Sequence, residues 1–218
     1  MEPELKAKIH ERHMAMYQVF LVFILPIALL YSNIIGKDWR ILMLLFLTVV
    51  IYGIIRREGW HQESLGVHLH NFWKCAGPYA LFTVIGVGLL LLLAWYLGYQ
   101  TLTEFWKSPH FLFLFLPISF FQEFAYRGFL MPLLGKIFKK DNTIIIVNAL
   151  LFSFLHIIYP HPEIMLPVAF VGGVAFAWIY RKYPNLLAVS IAHSILNYVA
   201  VLLGFFYLAS TTVFSVLK

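Results

Sequence analysis

Apolar residues run almost unbroken along seven stretches of the chain, at about 16–32, 39–55, 76–99, 109–134, 142–159, 163–180 and 185–209, with short polar or charged intervals between them. Each is close to the roughly 20 residues that a helix needs to cross the hydrocarbon core of a bilayer. The pattern predicts an all-α, polytopic transmembrane helical bundle of seven spans, or eight if the last run breaks near Gly204. The interval from Gly59 to Lys74 sets Trp60, Leu65, Val67, Leu69, Phe72 and Trp73 among His, Gln and Asn. It is too polar to cross, and reads as a short amphipathic segment along the interface with its tryptophans in the headgroup belt. In the sixth run Ala169, Gly173 and Ala177 recur every four residues, a small-residue ridge suited to close helix packing.

Composition changes this picture little and charge orients it. With 61% hydrophobic and only 12% charged residues, the chain carries more apolar side chain than a soluble core could bury, so lipid is its main partner. Residues 1–218 read as a single integral membrane domain. The one cysteine, Cys75, can form no internal disulfide. Alternate loops differ in basic residues: Lys6, Lys8, Arg12, Arg56, Arg57, Lys74, Lys136, Lys139, Lys140, Arg181 and Lys182 fall on one side, eleven in all. Lys37, Arg40, Lys107 and Lys218 fall on the other, which makes four. The positive-inside rule therefore predicts a cytoplasmic N-terminus and an external C-terminus for seven spans. The net charge of +6 follows from this bias and calls for no nucleic-acid partner. Glu2, Glu4 and Glu11 mixed with Lys6, Lys8 and Arg12 make the N-terminus an amphipathic lead-in to a retained span, not a signal peptide.

Ionisable groups within spans cost roughly 2.5–3.5 kcal/mol each, so each needs an internal partner or a task. The fourth run holds Gln122, Glu123 and Arg127, the fifth Asn148 and His156, and the last His193 and Asn197. Glu123 lies 13 residues before Lys136, His156 15 after Asp141, and His193 and Asn197 11 and 15 after Lys182. At 1.5 Å per residue these four groups, from three helices, reach about the same depth, roughly 17–23 Å from the basic side. A single site is the simplest reason for that agreement. Glu123 and Arg127 are four apart in the favourable order for a neutralising pair, His193 and Asn197 share a helical face, and Phe152 stands one turn from His156. The other histidines fall in loops or at interfaces.

Three short motifs carry these residues. Gln122-Glu123-Phe124-Ala125-Tyr126-Arg127 resembles Glu-Glu-x-x-x-Arg, Phe152 to His156 matches Phe-x-x-x-His, and His193 to Asn197 matches His-x-x-x-Asn. In this order, on hydrophobic spans, they resemble the CAAX-protease and bacteriocin-processing (CPBP) family of glutamic-type intramembrane endopeptidases, over a core of residues 109–200. The resemblance implies hydrolysis of a peptide bond in a membrane-associated protein or peptide, in the cell membrane of a prokaryote, without metal or other cofactor. It implies that the first motif residue and His156 activate a water, that His193 and Asn197 hold the developing oxyanion, and that Glu123 and Arg127 shape and neutralise the site.

One position departs from the pattern. Gln122 stands where the family has its first glutamate, and an amide cannot accept a proton at ordinary pH. Three explanations stay open at this point: an inactivating substitution, a natural pseudoprotease that acts as a membrane binding or regulatory protein, or transfer of the base role to Glu123. A zinc-dependent membrane metallopeptidase using His156, His193 and a carboxylate is the alternative chemistry, although Arg127 beside the site would repel a cation. Transport would call for a matched pair of interrupted helices, which the chain lacks.

Overall fold

In the computed structural model, which describes residues 3–98 and 109–205, every regular element is helical. The first is a continuous helical column: α1 (Pro3–Val19), a π-helical turn (Phe20–Ile24) and α2 (Leu25–Tyr31). After α3 (Arg40–Glu58) and α4 (Phe72–Tyr96) comes a second column of the same design, with α5 (Pro109–Glu123), a π-helical turn (Phe124–Leu130) and α6 (Met131–Ile137). The bundle closes with α7 (Asp141–Leu155), α8 (Pro162–Lys182) and α9 (Leu186–Leu202).

Five helical stretches are long and apolar enough to cross a membrane: Glu4–Tyr31, Lys37–Glu58, Phe72–Tyr96, Asp141–Ile158 and Pro162–Lys182. Leu186–Leu202 is a shorter apolar helix. The chain is thus an all-helical integral membrane protein, and the polar lead-in before the first apolar run is part of its first helix. The last run breaks at its end, where α9 stops at Leu202 and Gly204 has φ +83°. Residues 99–108 and 206–218, which hold the expected Lys107 and Lys218 of the less basic side, lie outside the described residues.

Both π turns run into a proline two residues past their end, Pro26 after Ile24 and Pro132 after Leu130. Proline has no N–H to donate and crowds the carbonyl four residues back, which favours local rewinding of the helix. Proline alone does not produce the turn, because Pro78, Pro117 and Pro167 lie within unbroken α-helix. The two turns pack on each other: the Phe23 ring meets Tyr126 at 5.2 Å and Phe129 at 6.3 Å.

Polar contacts fix which helix ends lie together. Lys136 at the end of α6 pairs with Glu58 at the end of α3 (2.9 Å) and with Glu11 of α1 (3.4 Å), while Arg181 of α8 pairs with Asp141 of α7 (2.6 Å). The segment from Gly59 to Lys74 also belongs to this basic end, and Val67, Leu69 and Trp73 are exposed along it. It holds one 3-10 turn, Gln62–Leu65, and its last residues begin α4. Leu65 is buried, its carbonyl accepts from the Tyr180 hydroxyl (3.0 Å), and the Gly66 carbonyl accepts from the Leu186 amide (2.8 Å). Gly66 has φ +70°, and a Cβ there would collide with the Tyr180 hydroxyl, so this position needs glycine twice over.

The small-residue ridge of α8 packs as the spacing predicts. Ala169, Gly173 and Ala177 are buried, and a Cβ on Gly173 would lie 3.0 Å from the Ala149 Cα of α7. This close approach of α7 and α8 sets Phe152 and Phe176 near the middle of the bundle, where the polar residues gather.

Candidate active site

The face of α5 that packs on α9 carries Ser119 and Glu123, and Arg127 follows in the π turn; all three are fully buried. Glu123 accepts from His193 of α9 (Oε1 to Nδ1, 2.6 Å) and meets Arg127 through its other oxygen (Nε to Oε2, 3.2 Å). The second contact is close but is not aligned as a hydrogen bond, because Arg127 lies where the helix widens. The guanidinium reaches the Gly173 carbonyl at 3.4 Å and lies over the rings of Phe152 (4.6 Å) and Phe176 (5.4 Å). His193 sits between the same two rings, 5.6 and 5.0 Å away. A buried cluster of cation, carboxylate and imidazole is thereby enclosed by aromatic faces.

A second set of polar groups opens on a cavity of about 110 Å³, between the first helical column, α3, α5, the end of α7 and α9. Gln122, His156 and Asn197 line it together with Tyr126, Tyr159 and Arg40; the rest of its wall is largely aliphatic. His156 is the first residue of a 3-10 turn after α7, and its Nδ1 lies 2.8 Å from the Phe152 carbonyl. A carbonyl can only accept, so Nδ1 carries the proton and Nε2 holds the lone pair. Asn197 contacts the Ser119 hydroxyl at 3.4 Å. The Gln122 side-chain oxygen is buried without a hydrogen-bond partner.

The polar residues that the depth count set at one level thus lie in two layers. Gln122, His156 and Asn197 face the cavity. Glu123, Arg127 and His193 stand behind it, and His193, 3% exposed, is not among the lining residues. Adjacent positions 122 and 123 thus face different surroundings.

Asn148 has a role that the sequence did not disclose. Its side-chain amide donates to the Tyr126 carbonyl (2.7 Å) within the π turn, where the helical hydrogen-bond ladder changes register. The Tyr126 hydroxyl in turn reaches the Leu151 carbonyl of α7 (3.3 Å). These two bonds tie the motif-bearing turn to α7. Ser119, Tyr159 and Arg40 also escaped the sequence reading; Ser119 sits four residues before Glu123, which is the one periodic signal that could have found it.

Residues 104–199 match the family model described as Type II CAAX prenyl endopeptidase Rce1-like. This segment is an Rce1-like domain of the CPBP family. All three motifs fall within it. No curated protein and no solved structure matches the chain. Among the described residues of the Rce1-like domain and its surroundings, no three His, Cys, Asp or Glu side chains gather as a metal-binding group.

Proposed function

We propose that this protein binds a membrane-associated peptide in the cavity and has the apparatus to hydrolyse it by water activation between position 122 and His156, with Gln122 leaving the step impaired. The observation that carries this reading is one cavity lined by Gln122, His156 and Asn197, delivered by three different helices. With a carboxylate at 122, water would lie between that group and the His156 lone pair, lose a proton to the carboxylate and attack the scissile carbonyl; the C–N bond would then break as the carboxyl passes that proton to the leaving amine. Asn197 supplies an N–H donor on the cavity wall for the oxyanion. His193 acts from behind: with Nδ1 donating to Glu123, it can donate through Nε2 only as the imidazolium. Glu123 is a poor substitute base, because it is fully buried, engaged by Arg127 and His193, and off the cavity wall.

A non-catalytic binding role is the second reading, favoured by the amide at 122. The loop charges support a cytoplasmic N-terminus. The deciding experiment compares the purified chain with its Gln122→Glu variant on S-farnesylated and unmodified membrane peptides, reading products by mass spectrometry. A general base is worth about 10²–10⁴-fold, so the variant should exceed the unaltered chain by that factor, and His156→Ala should abolish the gain. An intact, folded Gln122→Glu variant that cleaves none of these peptides would remove the hydrolytic reading and leave the binding one.

A further inference from the structure

The last motif has a counterpart on α5 that the three motifs do not contain. α5 and α9 exchange two polar contacts, Glu123 with His193 at 2.6 Å and Ser119 with Asn197 at 3.4 Å. As α5 steps back one turn from 123 to 119, α9 steps forward one turn from 193 to 197, so the helices are antiparallel and the contacts are successive rungs between them. One turn further back, Phe115 is buried and meets the Tyr198 ring edge-on at 6.1 Å, which ends the polar part of the interface. Each polar side chain of the His-x-x-x-Asn motif thus has its own acceptor on α5. The rungs differ in what they face. Glu123 and His193 both stand behind the cavity wall, whereas Asn197 lines it and Ser119 does not. Ser119 is 0% exposed, a place where a hydroxyl is costly unless its hydrogen bond is made.

We propose that Ser119 is a positioning residue for hydrolysis: its hydroxyl oxygen accepts one N–H of the Asn197 amide and so holds the second N–H where the oxyanion develops. The inference rests on the hydrolytic reading above and adds to it a residue outside the three motifs. The amide has two N–H donors, so a bond to Ser119 leaves one for the cavity. The last side-chain torsion of asparagine is broad, and a fixed acceptor on α5 is what gives the amide plane one direction. At 3.4 Å the bond is long, as such contacts commonly are before substrate is bound. Being off the cavity wall, Ser119 touches no substrate and acts only through Asn197. An interaction that matters only as charge builds on the carbonyl oxygen raises kcat and leaves KM alone. Losing an oxyanion donor outright costs about 10²–10³-fold in kcat, and losing the group that aims it should cost less, about tenfold.

The test is run on the full chain in nanodiscs, in the Gln122→Glu background, with the S-farnesylated and unmodified membrane peptides named above. Ser119→Ala should lower kcat about tenfold with KM unchanged. Ser119→Thr and Ser119→Val then form a pair that is alike in shape and differs in one hydroxyl. Ser119→Thr should turn over about tenfold faster than Ser119→Val at the same KM, and the comparison cancels any strain that a larger side chain brings to the α5–α9 interface. If neither of the larger variants folds, the alanine comparison decides. A hydroxyl that only packs the helices would move the SDS unfolding midpoint and leave the kcat of the folded enzyme alone. An unchanged kcat in Ser119→Ala, equal kcat for the threonine and valine substitutions, or a loss that appears in KM instead of kcat overturns the inference and leaves hydrolysis at position 122 and His156 standing. A Gln122→Glu variant that cleaves none of the peptides removes the hydrolytic reading, and the role of Ser119 falls with it.

Discussion

Replacing Arg127 by methionine tests the charge cluster behind the cavity. Arg127 and Glu123 are both 0% exposed and 3.2 Å apart, so neither has water to fall back on. Methionine keeps an apolar stem between Phe152 and Phe176 but strands the Glu123 carboxylate, with His193 as its remaining partner among the described residues. Deleting one member of a buried ion pair costs about 3–5 kcal/mol, and the lost cation–π contacts fall within that figure. Because the Nε contact is close but misaligned, the lower end, about 3 kcal/mol, is expected. The deciding comparison is the double variant Glu123→Gln/Arg127→Met, which removes both charges and lets the new amide keep a hydrogen bond to His193. It should be less destabilised than Arg127→Met alone by at least about 1 kcal/mol, the sign expected when no ion is stranded. Stability is read by SDS titration of the protein in mixed micelles, followed by far-UV circular dichroism. A loss below about 1 kcal/mol for Arg127→Met, or a double variant as unstable as the sum of the two singles, would refute the coupling.

Other substitutions probe the elements that place the site. Gly66→Ala puts a Cβ into the Tyr180 hydroxyl at a left-handed backbone position, and should cost about 2 kcal/mol or more in the same titration. Gly173→Val should force α7 and α8 apart at Ala149, with a loss of about 1–3 kcal/mol from overpacking. Asn148→Ala should cost about 1–3 kcal/mol, leave the Tyr126 carbonyl without its side-chain donor, and lower the Gln122→Glu activity as well as the stability. Asp141→Asn, by contrast, breaks only an exposed pair with Arg181 and should stay within about 1 kcal/mol.

Much of the helical framework was legible because lipid imposes a simple rule: long apolar runs must be helices, as every backbone group has to be satisfied within its own segment. The ridge of Ala169, Gly173 and Ala177 was legible for a similar reason, since only small residues let two backbones approach so closely. Depth set Glu123 level with His193, which it meets at 2.6 Å, and the four-residue spacing set Arg127 beside Glu123. What escaped were departures from regular helical geometry. The first motif was read on an ideal α-helix, whereas Arg127 lies in a π turn that changes which carbonyls are satisfied and recruits Asn148. Pro132 was the visible sign of that turn, but Pro117 in the same column shows how little a lone proline decides. The segment from Gly59 to Lys74 was legible as amphipathic, but its ties to the bundle were not. Asn185 donates to the His68 carbonyl, 2.6 Å away, and to Asn71 at the same distance. Such long-range partners leave no periodic trace.

The two-layer arrangement gives Gln122 a physical meaning that the motif alone could not. A change at 123 would disturb a fully buried network of Arg127, His193 and two aromatic faces. At 122 the side chain faces the cavity, and amide and carboxylate have nearly the same shape. Exchanging one for the other alters the proton chemistry while leaving the bundle's packing in place. An exchange at 122 is therefore expected to leave the scaffold in place, because the Gln122 side-chain oxygen has no hydrogen-bond partner in the protein to lose and the residue lines the cavity.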